Sequence, residues 1–210
     1  MQRILLINPP DVDSSLFDYD TAKRGRANNY PAYGLGVLAR HLMNGGYEVS
    51  ILNLNHELLK AVHESTTHID YDPTWQALLF DAIEDFQPDL IGVTCLFSVT
   101  GKSLVNVCKT IRQLTDAPLA IGGVHVTHDV EQILKDTQAD YAFLNESEKA
   151  LIRFLEVKNG STEPLCQVVE RRGDTLIRHD LQLRPSGCEL DVIPPFEMMD
   201  VENHSLYGTL

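Results

Sequence analysis

One short stretch of the sequence decides the fold: Leu90-Ile91-Gly92-Val93-Thr94-Cys95, which follows Pro88-Asp89. The stretch contains β-branched residues and no alternation of polar with apolar side chains. A strand of this kind is buried on both faces, as in a parallel sheet covered by helices on either side. The rest of the chain must therefore supply further strands and the helices that cover them.

Strands and helices alternate on both sides of that stretch. Short apolar runs predict further strands at residues 3–8, 47–54, 118–121 and 141–144. Helical spacing of apolar residues predicts helices at residues 33–44, 57–63, 74–86, 103–114, 130–137 and 146–157. This order predicts an α/β fold with right-handed crossovers. We expect a doubly wound, flavodoxin-like or Rossmann-like parallel five-stranded sheet with helices on both faces.

The pattern changes after residue 158. Alternating runs at residues 166–171 and 175–179 flank Arg172-Gly173-Asp174, which predicts a β-hairpin. The following tract has no regular period and contains Pro194-Pro195, as a connector would. We therefore expect an α/β domain at residues 1–158 and a hairpin with a connector at residues 159–210. The polar stretch 11–29 is long for a connection and predicts a functional or mobile loop.

Composition excludes several classes of protein. The 210 residues include 17 Lys and Arg against 30 Asp and Glu, a formal charge of −13. Binding to nucleic acid or to an anionic membrane is disfavoured, because both need clustered basic residues. No apolar run approaches the ~20 residues of a membrane span, and the N-terminus lacks a signal peptide, so we expect a cytoplasmic protein. No two of the four cysteines have C-x-x-C spacing, so we expect free thiols rather than a metal site.

Candidate binding residues lie where the predicted strands end. Ligands of open α/β sheets bind beyond the carboxyl ends of the strands. Small and polar residues are concentrated there, and Gly122-Gly123 permits a close approach of the backbone. The candidates are Asn8, Pro9, Pro10, Thr94, Ser98, Thr100, Gly122, Gly123, His125, Thr127, Asn145 and Glu146.

Three other patterns have weaker support. The G-x-G-x-x-A pattern at residues 34–39 does not directly follow a strand, so we expect its glycines to allow tight helix packing rather than to bind a dinucleotide. His125 and His128 lack an evident third metal ligand, so no metal site is predicted. Glu146 and Glu148 either favour a helix N-terminus or perform acid–base chemistry, and an enzyme that uses Glu146 with His125 stays open.

Taken together, the motifs resemble those of the N-terminal cobalamin (vitamin B12)-binding domain of B12-dependent radical SAM enzymes. The resemblance covers nearly the whole chain. It rests on Ile4-Leu5-Leu6-Ile7-Asn8-Pro9-Pro10, Tyr30-Pro31-Ala32-Tyr33-Gly34-Leu35-Gly36-Val37-Leu38-Ala39 with Gly46-Tyr47-Glu48-Val49, Pro88-Asp89-Leu90-Ile91-Gly92-Val93-Thr94, Gly122-Gly123-Val124-His125-Val126-Thr127, and Asp140-Tyr141 leading to Glu146-Ser147-Glu148. The tract Glu189-Leu190-Asp191-Val192-Ile193-Pro194-Pro195-Phe196 is similar to the passage into the radical SAM barrel.

The resemblance implies cobalamin as the cofactor, in a module that binds but does not itself catalyse. The corrin ring would lie across the carboxyl edge of the sheet, with its nucleotide tail in a slot beside Gly92, Gly122 and Gly123. Thr94, Ser98 and Thr100 would bind the tail or the propionamides. His125 and Thr127 would reach the tail phosphate or the ring edge. The partner would be a C-terminal radical SAM domain of the same protein, which would hold the [4Fe–4S] cluster and S-adenosylmethionine.

Departures from the family patterns refine this expectation. The motif D-x-H-x-x-G is absent, and Asn8-Pro9-Pro10-Asp11 stands in its place, so we expect no cobalt-binding histidine from this loop. The loop after strand five has Asn145-Glu146-Ser147-Glu148 where G-E-x-E is frequent. The cluster motif C-x-x-x-C-x-x-C is also absent, so we expect the front portion of a longer enzyme. The alternative is a flavodoxin-like binding or interaction module that has lost, or never had, the corrin.

Overall fold

The computed structural model describes residues 2–187 and 191–210, in which seven strands form a single sheet. In chain order the strands are β1 (Arg3–Asn8), β2 (Glu48–Asn53), β3 (Leu90–Thr94), β4 (Leu119–Gly122), β5 (Tyr141–Phe143), β6 (Val168–Arg172) and β7 (Thr175–His179). Their order across the sheet is β2-β1-β3-β4-β5-β6-β7. The first five strands are parallel, and the last two continue the sheet in antiparallel fashion. The predicted five-stranded parallel sheet is confirmed.

Helices cover both faces of this sheet, as predicted. In chain order they are α1 (Tyr19–Lys23), α2 (Tyr33–Asn44), α3 (Leu54–Glu64), α4 (Tyr71–Phe86), α5 (Gly101–Leu114), α6 (Val124–His128), α7 (Val130–Thr137), α8 (Glu148–Lys158) and α9 (His204–Tyr207). Residues of α2 and α8 pack on one face, and residues of α4, α5 and α7 pack on the other. Since β1 lies between β2 and β3, the strand order reverses there, which makes the carboxyl end of β1 and β3 the switch point of the fold.

The two faces of the sheet form two separate cores. Side chains of consecutive strand residues point to opposite faces. Accordingly Leu5 and Ile7 belong to the core under α4 and α5, whereas Ile4 and Leu6 belong to the core under α2 and α8. All four side chains are at most 1% exposed, which explains why the parallel strands lack polar alternation.

Several predicted boundaries were wrong by a few residues. The helices α3, α4 and α5 begin three, three and two residues earlier than predicted, at Leu54, Tyr71 and Gly101. The earlier start of α3 has a clear cause, because the side chain of Asn53 accepts a hydrogen bond from the backbone N–H of His56 and caps the helix. Conversely, α8 begins at Glu148, two residues later than predicted, after Asn145 has taken a left-handed backbone conformation.

The C-terminal half of the chain is more integrated than a free hairpin would be. The predicted hairpin is present, and β6 pairs with β5, so that the hairpin extends the parallel sheet.

The polar stretch 11–29 contains the short helix α1, whose Ala22 is buried against α3. The predicted domain boundary at residue 158 stays a prediction. Cys188 and the start of the connector lie outside the described residues.

Three of the cysteines lie in the two cores of the molecule. Cys95, Cys108 and Cys166 are free and buried, and desolvation raises the pKa of each thiol. Among the described residues, no helix is both long and apolar enough to cross a membrane.

Candidate functional site

A deep cavity opens between α2 and α8, on the face that these two helices cover incompletely. We call this cavity the slot. Its volume is about 520 Å³, within the range of about 300–1,000 Å³ typical of small-molecule sites. The floor and walls are mostly apolar and include Ile4, Leu6, Leu35, Leu38, Gly92, Ala120, Phe143 and Leu151.

Small residues on neighbouring strands explain the depth of the slot. Gly92 of β3 pairs directly with Ala120 of β4, and Thr94 pairs with Gly122 one step further along. Side chains two residues apart on a strand share a face, so these small residues all lie along the floor. A Cβ atom added to Gly92 would lie 3.1 Å from Cδ2 of Leu6, so even an alanine here would crowd the floor.

The carboxyl end of the slot is formed by loops that brace one another. Gly123 has a φ of 111°, and a Cβ atom at this position would lie 2.4 Å from the carbonyl oxygen of Cys95. The Thr127 hydroxyl donates to the carbonyl of Gly123 and accepts from the backbone N–H of Asn145, at 3.2 and 3.0 Å. Asn145 has a φ of 58°, so it takes the left-handed conformation for which glycine is the usual residue.

The slot mouth carries two carboxylates of different character. Glu146 is exposed, whereas Oε2 of Glu148 is buried and has no hydrogen-bond partner. Exposed apolar side chains border the same mouth, with Leu96 48% exposed and Val124 57% exposed. The neighbouring Phe97 is 65% exposed. We call Leu96, Phe97 and Val124 the rim.

The structure divides the twelve candidate residues into two sets. The residues that line the slot are Thr94, Gly122, Gly123, Thr127, Asn145 and Glu146. The remaining six are not among the lining residues: Asn8, Pro9, Pro10, Ser98, Thr100 and His125. The role of all twelve in binding stays a prediction.

Residues of the second set make contacts of their own. The amide of Asn8 donates to Oδ1 of Asn53, and Pro9 and Pro10 are buried. The Thr100 hydroxyl is buried and donates to the carbonyl of Phe97, because the chain turns there towards α5. These contacts occupy polar groups that the sequence interpretation assigned to a ligand.

His125 lies on the other side of the loop from the slot. Its Nδ1 is 3.2 Å from the hydroxyl of Ser98, and the residue lines a separate polar groove beside α5 and α7. Glu146 lines the slot instead, so the structure does not bring the two together as an acid–base pair. Within residues 2–187 and 191–210, no group of three or more His, Cys, Asp or Glu side chains is arranged to hold a metal ion.

A buried polar cluster, which the sequence interpretation missed, closes the carboxyl ends of β1 and β2. We call Asn29, Asn53, His56, Asp200 and His204 the polar cluster. The imidazole rings of His56 and His204 stack with centroids 3.9 Å apart and planes inclined by 14°. His56 is 1% exposed and His204 is 0% exposed.

Hydrogen bonds in the polar cluster define the proton positions on His204. Its Nδ1 donates to the carbonyl of Asp200 at 3.0 Å, and its Nε2 faces the Asn53 amide nitrogen at 3.4 Å. Because Asn53 presents N–H there, His204 must be neutral. Burial lowers the pKa of His204 in agreement with this arrangement. Burial alone would raise the pKa of Asp200, but hydrogen bonds from His56 and Asn203 hold this pKa below its ordinary value.

The segment that carries His204 also packs on α2, one wall of the slot. A Cβ atom at Gly36 would lie 2.5 Å from Sδ of Met199 and 3.0 Å from Cβ of Pro194. Met199 is 5% exposed. Gly36 of the G-x-G-x-x-A pattern therefore admits a tightly packed segment, as its packing interpretation predicted, while Gly34 lines the slot.

Comparison with known proteins identifies the family. The model of the B12 binding domain matches residues 23–155, which include α2, the four strands β2 to β5 and most of α8. The chain belongs to the B12-binding domain family. The predicted resemblance to a cobalamin-binding domain is thereby confirmed.

Relatives of this B12-binding domain include much longer enzymes. Cytidylyl-2-hydroxyethylphosphonate methyltransferase from Streptomyces wedmorensis is 28% identical over 213 residues, which cover 94% of this chain and 38% of that protein. TsrM from Kitasatospora setae, a radical S-adenosylmethionine methyltransferase solved with cobalamin and a [4Fe–4S] cluster, has a TM-score of 0.65 at 20% identity over 89% of this chain and 30% of its own. OxsB is a cobalamin-dependent S-adenosylmethionine radical enzyme solved with aqua-cobalamin. Its TM-score is 0.64 at 15% identity, and the match covers 98% of this chain and 25% of OxsB.

The B12-binding domain described here thus spans less than two fifths of the length of these relatives. The two solved structures share its fold. The residues of the slot also fit the chemistry of cobalamin, which combines an apolar ring with amides, hydroxyls and a flat base. Gly92 and Ala120 leave room for a flat group, the rim offers apolar contact, and Oε2 of Glu148 lacks a donor.

Proposed function

We propose that this chain binds cobalamin with the nucleotide tail in the slot and the corrin ring across the carboxyl edge of the sheet. The observation that carries the proposal is the slot itself. It is an apolar cavity of about 520 Å³ that runs along Gly92, Ala120 and Gly122 to the carboxyl edge. Its mouth is bordered by exposed apolar side chains that a large ring would cover.

The residues of this chain would bind and orient the cofactor. When bound, cobalamin supplies a cobalt centre that accepts and delivers a methyl group or an electron. The protein contributes position and environment. Among the predicted residues, we assign tail binding to those that line the slot: Thr94, Gly122, Gly123, Thr127, Asn145 and Glu146.

The braced loops would keep the slot open before the cofactor arrives. The Thr127 hydroxyl already donates to Gly123 and accepts from Asn145, so its side chain holds two loops in place. A preformed site lowers the entropic cost of binding. The loop Asn8-Pro9-Pro10-Asp11 contains no histidine, so we propose that it supplies no imidazole to cobalt.

The proposal extends to the whole protein through its relatives. We propose that this domain is the N-terminal part of a B12-dependent radical SAM enzyme of the methyltransferase type. A C-terminal domain of the same protein would hold the [4Fe–4S] cluster and S-adenosylmethionine and would face the rim across the corrin. We also propose a cytoplasmic location, where free thiols such as the buried Cys95, Cys108 and Cys166 stay reduced.

Spectroscopy of the purified chain tests the binding proposal. The chain is mixed with hydroxocobalamin, free ligand is removed by gel filtration, and the visible spectrum of the protein fraction is recorded. We expect corrin absorbance to remain with the folded chain at close to one equivalent and to be lost from a heat-unfolded sample. A protein fraction without corrin absorbance at micromolar concentration would refute the proposal.

A further inference from the structure

The slot contains one feature that its apolar character does not explain. Oε2 of Glu148 is buried and makes no hydrogen bond, although the residue lines the slot. The other buried side-chain polar atoms without a partner belong to Asp13, Asn29, Ser103 and His179, and none of these residues lines the slot. Within the described part of the chain, Glu148 is therefore the orphaned acceptor of this cavity.

An orphaned carboxylate oxygen indicates a missing donor. A buried acceptor without a partner is costly, and the cost is greater for a charged group. An ionised carboxylate can only accept hydrogen bonds, so the group that completes this site must present O–H or N–H. A phosphate is excluded as the direct partner, because it would bring a second negative charge against the carboxylate.

The start of α8 at Glu148 gives Glu148 and Glu146 different surroundings. Because α8 begins at Glu148, this side chain belongs to the first helical turn and lies above Leu151, which also lines the slot. Glu146 precedes the helix in an exposed loop. Glu146 is open to solvent, whereas Oε2 of Glu148 is buried in a residue that lines the slot.

We propose that Glu148 accepts a hydrogen bond from a hydroxyl group of the cobalamin nucleotide tail, and that this contact lets the slot distinguish complete cobalamin from corrinoids that lack the tail. The inference rests on the proposed function. The apolar side chains of Leu35, Leu38 and Phe143 line the slot, which suits a flat base. Its ribose would then lie nearer the mouth, where Glu148 stands.

Two corrinoids separate this contact from general corrin binding. Diaquocobinamide has the corrin ring and its amides but lacks the ribose and the base of hydroxocobalamin. Dissociation constants for both ligands are measured by visible titration for the wild type, Glu148→Ala and Glu148→Gln. Glu131→Ala is the matched control, because Glu131 also lies in the first turn of a helix, α7, but is exposed and does not line the slot.

We expect Glu148→Ala to weaken hydroxocobalamin binding about tenfold, as loss of one hydrogen bond to a charged group implies. Diaquocobinamide binding should change less than twofold, and Glu131→Ala should change neither ligand. Glu148→Gln keeps a carbonyl acceptor, so its loss should be smaller. Melting curves without ligand check that each variant is folded, and Glu148→Gln remains the test if Glu148→Ala unfolds.

Equal weakening of both ligands by Glu148→Ala would overturn the inference, since the contact would then be with the corrin amides. Unchanged binding of both ligands would overturn it as well. A wild-type chain that binds neither corrinoid would instead overturn the proposed function, and this inference with it. The wild-type titration therefore distinguishes the two failures.

Discussion

The two halves of the sheet's carboxyl edge differ in what occupies them. At β3, β4 and β5, the slot is apolar and roomy and leaves Oε2 of Glu148 without a partner. At β1 and β2, the polar cluster fills the edge, and the buried rings of His56 and His204 stack on each other. The chain itself therefore fills one half of this edge, whereas the slot leaves the other half open.

The largest expected effect comes from emptying the polar cluster. His204→Ala removes a fully buried ring together with its contacts to the Asn53 amide and the Asp200 carbonyl. We expect the free energy of unfolding in urea to fall by about 3 kcal/mol. Ser205→Ala, at the exposed next position, is the control. A loss below about 1 kcal/mol would mean that the cluster is not what holds the C-terminal segment in place.

Filling the slot should instead weaken hydroxocobalamin binding and change the free energy of unfolding only a little. A Cβ atom at Gly122 would lie 3.7 Å from the Phe143 carbonyl oxygen, an ordinary contact, so Gly122→Val adds volume to the slot without a backbone clash. We expect hydroxocobalamin affinity to fall at least about tenfold and stability by less than about 1 kcal/mol. Ala77→Val, on the exposed surface of α4, should leave affinity unchanged. Undiminished affinity in Gly122→Val would put the ligand outside the slot.

The loop at the slot mouth allows a finer test of the same half. Asn145 has a φ of 58°, which a residue with an ordinary side chain adopts at a cost of about 1 kcal/mol. We expect Asn145→Ala to lower the free energy of unfolding by about this amount. Asn145→Gly should leave it nearly unchanged, because glycine accepts the conformation. Equal losses in the two variants would point to the Asn145 side chain rather than to its backbone.

The smallest expected effect is a pH dependence confined to the polar cluster. Burial lowers the pKa of His204, so the unfolded chain binds a proton more readily than the folded chain. The stability that this neutral ring contributes is complete above its unfolded pKa of about 6.5 and is lost as the pH falls below it. The wild type should therefore lose more stability than His204→Phe between pH 7 and pH 5 in urea unfolding. Parallel pH profiles would contradict the assignment.

Asp200 titrates in a separate window. Its pKa is lowered, so its contribution is complete above the unfolded value of about 3.9 and is lost only at lower pH. The pH range from 7 to 5 therefore reports on His204 without interference from this carboxylate. A matching loss confined to pH values below 4 would assign the effect to Asp200 instead.

Local signals in the sequence were enough to predict the slot half of the edge. The strands are continuous apolar runs, and small residues such as Gly92 and Gly122 follow the strand pattern, so the floor could be predicted from spacing alone. Which of the two carboxylates, Glu146 or Glu148, has a buried oxygen without a partner could not be predicted. That depends on where α8 begins, and the left-handed turn at Asn145 delays the helix by two residues.

The polar cluster could not be predicted from the sequence, for a different reason. Its hydrogen bonds join residues far apart in the chain, with 151 positions between Asn53 and His204 and 144 between His56 and Asp200. No periodic pattern relates such residues. The assignment of Asn8, Pro9 and Pro10 to the ligand followed from strand position and stays a prediction. The hydrogen bond from Asn8 to Asn53 could not be predicted from that position.

This separation along the chain also sets an order in time. Ribosomes add about 5–20 residues per second, so the 151 positions between Asn53 and His204 correspond to roughly 8–30 s of synthesis. During that interval the nascent chain can assemble the slot, whose lining residues extend only to Leu151, while His56 still awaits its stacking partner. The residues of the slot half are thus all synthesised before the segment that closes the other half of the edge.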